Sequence, residues 1–232
     1  MSSLIKSKNE QTIGKCKVYL VHVQVNDVQG KIQEVFDNIR NTSWIERLGN
    51  PNAQLKYSIA SERTIKKLTE EIFNGGNSPL TEETGEYVIS VSAVTVLSEE
   101  YGHKKVAISE LWKEQKSGNP GFDFHSVNPD SVVIFGEAKY KSNPPSPHGT
   151  AFNQINDLIS EKKDAMDLVD LEQIIGIFPT ERFRNGFKGY SAAFSLNAKS
   201  PETVMSNALT STLAKPLLEY SELYIIGMEF AS

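Results

Sequence analysis

The sequence predicts an α/β fold in which one mixed sheet is covered by helices. Two observations carry that expectation. Short β-branched runs (CKVYLVHVQV, SVVIF, GYSAAFSLNA, ELYIIGMEF) are interleaved, above all after residue 80, with segments whose apolar residues recur every three or four positions. The run VVIF is apolar on both faces, as expected for a central strand with a layer on each side. With 232 residues, the chain is long enough to bury a substantial core.

Each element has its own warrant. CKVYLVHVQV (16–25) alternates in part and reads as a strand. In 29–41, Ile32, Val35, Phe36 and Ile39 fall on one helix face. Ile65, Leu68 and Ile72 do the same in 61–76, with Ser61 as N-cap and Gly75 as stop. TEETGEYVISVSAVTVLSEEYG (81–102) is β-branched enough for a strand. Its length, the Thr81 cap followed by acids and the closing Gly102 favour a buried helix instead. KVAISELWK (105–113) reads as a strand. GFDFHSV and SVVIFGEAKY read as a hairpin turning at Asn128-Pro129-Asp130-Ser131. After the Pro-rich loop 141–149, residues 150–170 read as one amphipathic helix through Phe152, Ile155, Ile159, Met166 and Val169. IIGIF (174–178) and GYSAAFSLNA (189–198) read as strands. Residues 200–215 read as a helix stopped by Pro216, and 222–230 as a terminal strand. Residues 79–232 are expected to form the functional core. Residues 1–78 are expected to be an N-terminal α/β extension that offers a surface to a partner.

Composition removes several classes of function. The single cysteine, Cys16, allows no internal disulfide and leaves Cys-based zinc sites without ligands. His22, His103, His125 and His148 show no metal-ligand spacing. Gly75-Gly76 is not followed by Lys-Ser/Thr, so no phosphate loop is indicated, and there is no Gly-x-Ser-x-Gly elbow. MSSLIKSKNEQ lacks the apolar core of a signal peptide, and no apolar run approaches a membrane span, so a cytoplasmic protein is expected. The net charge is −5. A chain that grips nucleic acid alone usually carries a basic surface, because phosphate contacts supply much of the affinity. Nucleic-acid binding here needs a partner or a local basic patch.

Chemistry concentrates in one place. Glu-x-Lys occurs three times, as Glu114–Lys116, Glu137–Lys139 and Glu161–Lys163. The first runs into polar sequence and the third lies on the amphipathic helix with its side chains pointing apart, so both read as surface. Only Glu137–Lys139 closes a strongly apolar strand. Residues i and i+2 share a strand face, so the carboxylate and the ammonium sit side by side, partly desolvated but near solvent. Asp123 lies one hairpin away. By strict alternation Phe122 and Phe124 share one face, and Asp123, His125 and Val127 the other. A three-residue loop (129–131) sets Asp123 opposite Glu137. A four-residue loop sets it opposite Gly136 and on the wrong side unless a bulge intervenes. In the first register two carboxylates can bind Mg²⁺ or Mn²⁺, which favour oxygen ligands. The metal can polarise a phosphodiester and activate water, and Lys139 can orient that water or stabilise developing charge. Glu86, in TGEYV near a helix start, is a fourth candidate. Acids near a helix N-terminus are common for dipole reasons alone.

Asp123, a spacer, then Glu137-Ala138-Lys139 at the end of a buried strand, followed by an amphipathic helix, resembles the PD-(D/E)XK nuclease superfamily over roughly residues 80 to 180. The family's frequent proline before the Asp is absent, since Gly121 and Phe122 stand there. The resemblance implies a restriction-endonuclease-like sheet and a Mg²⁺- or Mn²⁺-dependent deoxyribonuclease. It implies Asp123, Glu137 and Glu86 as metal ligands and Lys139 as the catalytic lysine. The phrasing GFDFH…FGEAKY also looks like the nuclease subunit of Hachiman-type antiphage defence systems. That implies DNA as substrate and a helicase partner that loads the nuclease and supplies much of the DNA grip.

Two other readings stand beside it: a restriction endonuclease, and a non-catalytic regulatory or nucleic-acid-binding subunit on a nuclease-like fold. Cutting both strands often needs two sites, so a homo-oligomer is one expectation. His125 is read first as a buried histidine bonded to a neighbour and second as a phosphate contact. Gln154 is read equally as a site residue and a solvated one, Lys141 as a solvated lysine, and Trp44 and Trp112 as core or interface.

Overall fold

The structure, a computed structural model, describes residues 3–74, 81–113 and 121–230. Strands β1 (Ser3–Ile13) and β2 (Cys16–Val25) form an antiparallel hairpin. The remaining strands are β3 (Lys104–Lys105), β4 (Phe124–Val127), β5 (Val133–Lys139), β6 (Lys188–Ser195) and β7 (Glu222–Phe230). All seven lie in one mixed sheet, in the order β1-β2-β7-β6-β5-β4-β3. The four central strands β2, β7, β6 and β5 run parallel, and the pairs at either edge are antiparallel. The α/β expectation with a mixed, helix-covered sheet therefore holds. Residues 3–25 contribute two strands to the sheet that carries Glu137.

The helices are α1 (Val28–Arg40), α2 (Ser43–Glu46), α3 (Pro51–Asn74), α4 (Glu82–Tyr101), α5 (His148–Ser160), α6 (Lys163–Ile175), α7 (Ile177–Arg184) and α8 (Pro201–Thr210). On one sheet face, Val133 and Phe135 of β5 pack with Phe152 and Ile155 of α5. On the other, Ile134 and Ala138 pack with Ile89 and Ala93 of α4. Helix α4 is buried almost all round, from Tyr87 to Leu97, because α1 covers the side turned away from the sheet. Its β-branched content does not make it a strand, because both ends are closed by local chemistry. The Thr81 hydroxyl accepts from the Thr84 N–H at 3.1 Å, and Gly102 turns left-handed at φ 70°.

Several expectations are corrected. Residues 105–113 do not form a long strand. Only Lys104–Lys105 pair with β4, and a 3-10 turn follows at Ser109–Leu111. Helix α3 begins at Pro51, so Ser61 is no N-cap; its hydroxyl donates to the Leu111 carbonyl at 2.8 Å. The expected helix 150–170 breaks at Lys162, which sits left-handed at φ 59°. The break rotates the second half, leaving Met166 and Val169 55% and 75% exposed while Asp164 and Asp167 turn inward. IIGIF is not a strand: Gly176, at φ 87°, separates the end of α6 from the start of α7. Helix α8 stops at Thr210, well short of Lys215. There the Thr210 hydroxyl bonds back to the Ser206 carbonyl, and the Ser211 hydroxyl accepts from the Leu213 N–H. Glu161 and Lys163 do not point apart: they flank the helix break with head groups 3.8 Å apart. The stop at Gly75, the Gly75-Gly76 pair, the Glu114–Lys116 pair and the side chains of Leu68 and Ile72 lie outside the described residues.

Candidate functional site

The hairpin adopts the odd register. Phe124 pairs with Gly136 and Val127 with Val133, and the Asn128 N–H donates to the Val132 carbonyl at 3.0 Å across a three-residue loop. Local chemistry closes that loop. The Asn128 side-chain carbonyl accepts from the Val132 N–H at 2.7 Å, and Ser131 takes the left-handed conformation at φ 60°. One departure lies at Asp123. Its N–H donates to the Gly136 carbonyl at 2.9 Å although Phe124 is the residue opposite Gly136, so two residues lie against one, as at a β-bulge. Alternation therefore breaks, and Phe122 and Phe124 do not share a face. Phe122 packs with Phe135 and Tyr190, whereas Phe124 lies across Gly136, where a Cβ would overlap its ring.

Asp123 is thereby turned toward the end of β5. One of its carboxylate oxygens accepts from the Ala138 N–H at 2.8 Å. Glu137 lies beside it on the face of Val133 and Phe135, fully buried, with the Asp123 carboxyl and the Lys139 ammonium as its polar neighbours. The Lys139 ammonium pairs with one Glu137 oxygen at 2.9 Å and donates to Glu86 at 3.2 Å. Helix α4 can bring Glu86 so near because Gly85 lies against the Tyr140 ring, where any Cβ would overlap it. Asp123, Glu137, Lys139 and Glu86 are thus all brought together, at the carboxyl end of a central parallel strand. That is where open α/β sheets present their ligand crevices.

The electrostatics follow from crowding acids in a dry place. Burial, then the neighbouring Asp123 carboxylate, pushes Glu137 well above the ordinary carboxylate range. Burial also raises Asp123, against the pull of Lys139 and the Ala138 N–H. Glu86 is raised by burial, with Lys139 opposing and Asp123 assisting. Burial alone would depress the Lys139 ammonium, but Glu137, Asp123 and Glu86 together hold it above its usual value.

The remaining candidates fall elsewhere. His125 is fully buried and pinned between the Asp167 carboxylate and the Ser109 hydroxyl, each at 3.2 Å, and burial lowers it to about 4; this is the neighbour-bonded reading. Trp112 is a core residue whose indole donates to the Ala107 carbonyl at 2.9 Å. The Lys141 side chain is exposed while its N–H is held by the Ser195 hydroxyl at 2.9 Å. Gln154 is half-buried on α5.

Sequence reasoning missed Glu110 and Lys113, which lie in and just after the 3-10 turn. Burial and then Asp123 push Glu110 up to about 8. Lys113 donates to the Phe122 carbonyl at 3.0 Å and to Asp167 at 2.6 Å. The available signal was a lone acid inside the apolar run AISELW, which a strand assignment leaves without a purpose.

Whether the group suits a hard cation depends on its donors. Carboxylate oxygens are the right kind, and Glu137 with the clustered acids supplies the negative charge such an ion needs. The Lys139 ammonium now bridges Glu137 and Glu86, and among the described residues no set of three or more His, Cys, Asp or Glu side chains is arranged to hold a metal ion. The donor chemistry fits, and Lys139 would have to yield part of its place. Comparison with protein-family models and with curated proteins returned no match for this chain. Among the described residues no helix is long and apolar enough to cross a membrane.

Proposed function

We propose that this chain is a metal-dependent deoxyribonuclease on a restriction-endonuclease-like sheet, as its resemblance to PD-(D/E)XK enzymes implies. One observation carries the reading: Glu137 is fully buried against the Asp123 carboxyl, with the Lys139 ammonium 2.9 Å away, at the carboxyl end of a central strand. A buried carboxylate set against a second carboxylate costs stability and persists when function uses it. Asp123, Glu137 and Glu86 would hold Mg²⁺ or Mn²⁺, which when bound polarises the scissile phosphate and acidifies water. Lys139 would release Glu137, orient the attacking water and balance charge growing on the phosphate. The net charge of −5 suits a chain that leaves much of the DNA grip to a partner. The Hachiman-type resemblance makes that partner a helicase, in a cytoplasmic antiphage complex.

A second reading is favoured by one observation. Lys139 already neutralises Glu137 and Glu86, as in a subunit whose site is only a remnant and whose role is regulatory. Plasmid cleavage separates the two. The purified chain, alone and with any helicase encoded beside it, is incubated with DNA in Mg²⁺ or EDTA. Cutting is expected only with Mg²⁺, and the double change Glu137→Ala with Lys139→Ala should abolish it while the protein still melts cooperatively. Undiminished cutting by that double variant would sink the nuclease assignment. No cutting in any condition would leave the regulatory reading standing.

A further inference from the structure

We propose that Lys113 is a positioning residue of this centre: its ammonium holds the backbone next to Asp123, so that the Asp123 carboxylate stays at the end of β5. The inference deepens the nuclease reading above and rests on it for its effect on cleavage.

Asp123 needs support from outside its own hairpin. It lies just before β4, at the bulge, where two residues face one and the ladder is interrupted. Its N–H is committed to the Gly136 carbonyl. The Asp123 carbonyl accepts from the Ser109 N–H at 3.1 Å, and the Phe122 carbonyl accepts from the Lys113 ammonium at 3.0 Å. Neither donor belongs to β5. Phe122 is buried, where a carbonyl robbed of its donor has little water to turn to.

The ammonium is itself held from several sides. Asp167 on α6 takes it at 2.6 Å, and the Trp112 ring stands 5.1 Å away. Asp167 also meets His125, and His125 meets the Ser109 hydroxyl, each at 3.2 Å. The contacts therefore return to the residue that grips the Asp123 carbonyl. Gly121 leaves the ammonium its room, since a Cβ there would lie 2.7 Å from Nζ. The helix break at Lys162 gains a purpose as well, because it turns Asp167 inward toward Lys113. At the far end of the same residue, the Asp123 carboxylate accepts from the Ala138 N–H at 2.8 Å. That bond reports whether the clamp holds. A reacting group displaced by about 1 Å can lose on the order of 100-fold in rate.

Two measurements on the full chain compare wild type with Lys113→Met, Lys113→Arg and Gly121→Ala. The first is hydrogen exchange of the Ala138 amide by NMR. Lys113→Met is expected to speed it about 10-fold or more, as for one lost hydrogen bond to a charged group, while β6 amides keep their rates. The second is DNA cleavage in Mg²⁺. Lys113→Met is expected to lower kcat about 10- to 100-fold and to leave KM for DNA unchanged. Lys113→Arg, which keeps the charge and the donors, should restore most of both. A wild-type Ala138 rate or an unchanged kcat in Lys113→Met overturns the proposal and leaves the nuclease reading intact. A raised KM with unchanged kcat also overturns it, and makes Lys113 a DNA contact instead. No cutting by wild type overturns the nuclease reading, and the positioning claim then stands or falls on the Ala138 rate. Should Lys113→Met not fold, Gly121→Ala takes its place, since the added methyl displaces the ammonium without removing it. It should act in the same direction by a smaller factor, and no change in either measurement overturns the proposal.

Discussion

Two buried glutamates on nearby strands of one sheet have opposite surroundings. Glu222, at the start of β7, has both oxygens satisfied: Asn128 donates to one and the Tyr224 hydroxyl to the other, each at 2.9 Å. Tyr224 in turn meets His103, which reaches the Ser126 hydroxyl, so the network closes on itself. Glu137, near the end of β5, has no neutral donor like these; it meets the Lys139 ammonium at 2.9 Å and faces a second carboxylate. Burial raises both groups. The difference lies in what the fold supplies afterwards. At the amino end of the parallel strands it supplies donors, and the carboxylate becomes part of the architecture. At the carboxyl end it supplies more acids and an ammonium, Lys139, that Glu137 shares with Glu86, and the carboxylate is left short of donors.

The largest effect that can break this contrast is on activity. Glu137→Gln should lower Mg²⁺-dependent DNA cleavage by about 100-fold or more, the scale seen when one charge-stabilising group is lost. In EDTA the same variant should be more stable than wild type, by on the order of 1 kcal/mol, because it removes a buried carboxyl crowded by Asp123. A chemical melt that shows Glu137→Gln destabilised would mean that the fold does need this carboxylate.

The next effect has the opposite sign. Glu222→Ala strips a partner from both Asn128 and Tyr224 and should cost about 2–4 kcal/mol, one unsatisfied buried group at each. Mn²⁺ affinity should not change, since Glu222 lies at the other end of the strands. A shift in Mn²⁺ affinity would show the two regions to be coupled.

The smallest effect concerns pH. Burial lowers His103 to about 4, below its ordinary 6.5. Between those values the unfolded chain binds a proton that the native one does not, so the contribution of neutral His103 is fully present above about pH 6.5. It is lost as pH falls toward 4, by up to about 3 kcal/mol. The stability advantage of wild type over His103→Gln, measured by urea melts, should therefore shrink from pH 7 to pH 4. An advantage that holds constant across that window would mean that His103 is already charged or exposed.

Much of this was legible where short-range chemistry decides. Helix α4 could be read from Thr81 and Gly102 despite its β-branched interior, because caps settle the ends and burial on all sides accepts any apolar filling. Glu137 and Lys139 were bound to share a face, because strand geometry leaves no alternative at i and i+2. The amphipathic segment 150–170 misled. Periodicity assumes an unbroken helix, and a single left-handed residue, Lys162, resets the phase so that two aspartates, paired with Lys188 and Lys113, take the inner positions.

What local chemistry left open was which distant groups meet. The Asn-Pro-Asp-Ser loop permits two registers on its own. The Asn128 side chain and the burial of β5 select the odd one, and the doubling of Asp123 and Phe124 against Gly136 then separates two phenylalanines that alternation had put together. Glu110 carried no legible purpose in the chain. Its turn is set beside Asp123 by hydrogen bonds from Ser109 and Lys113 to the Asp123 and Phe122 carbonyls, and α3, far away in sequence, holds two carbonyls of the same turn. Strand pattern, caps and the Glu-Ala-Lys spacing follow from neighbours in the chain, since φ/ψ preference and side-chain period are local. The meeting of Asp123, Glu137 and Glu86 around Lys139 follows from strand register and helix packing, which are contacts between segments that no local pattern encodes.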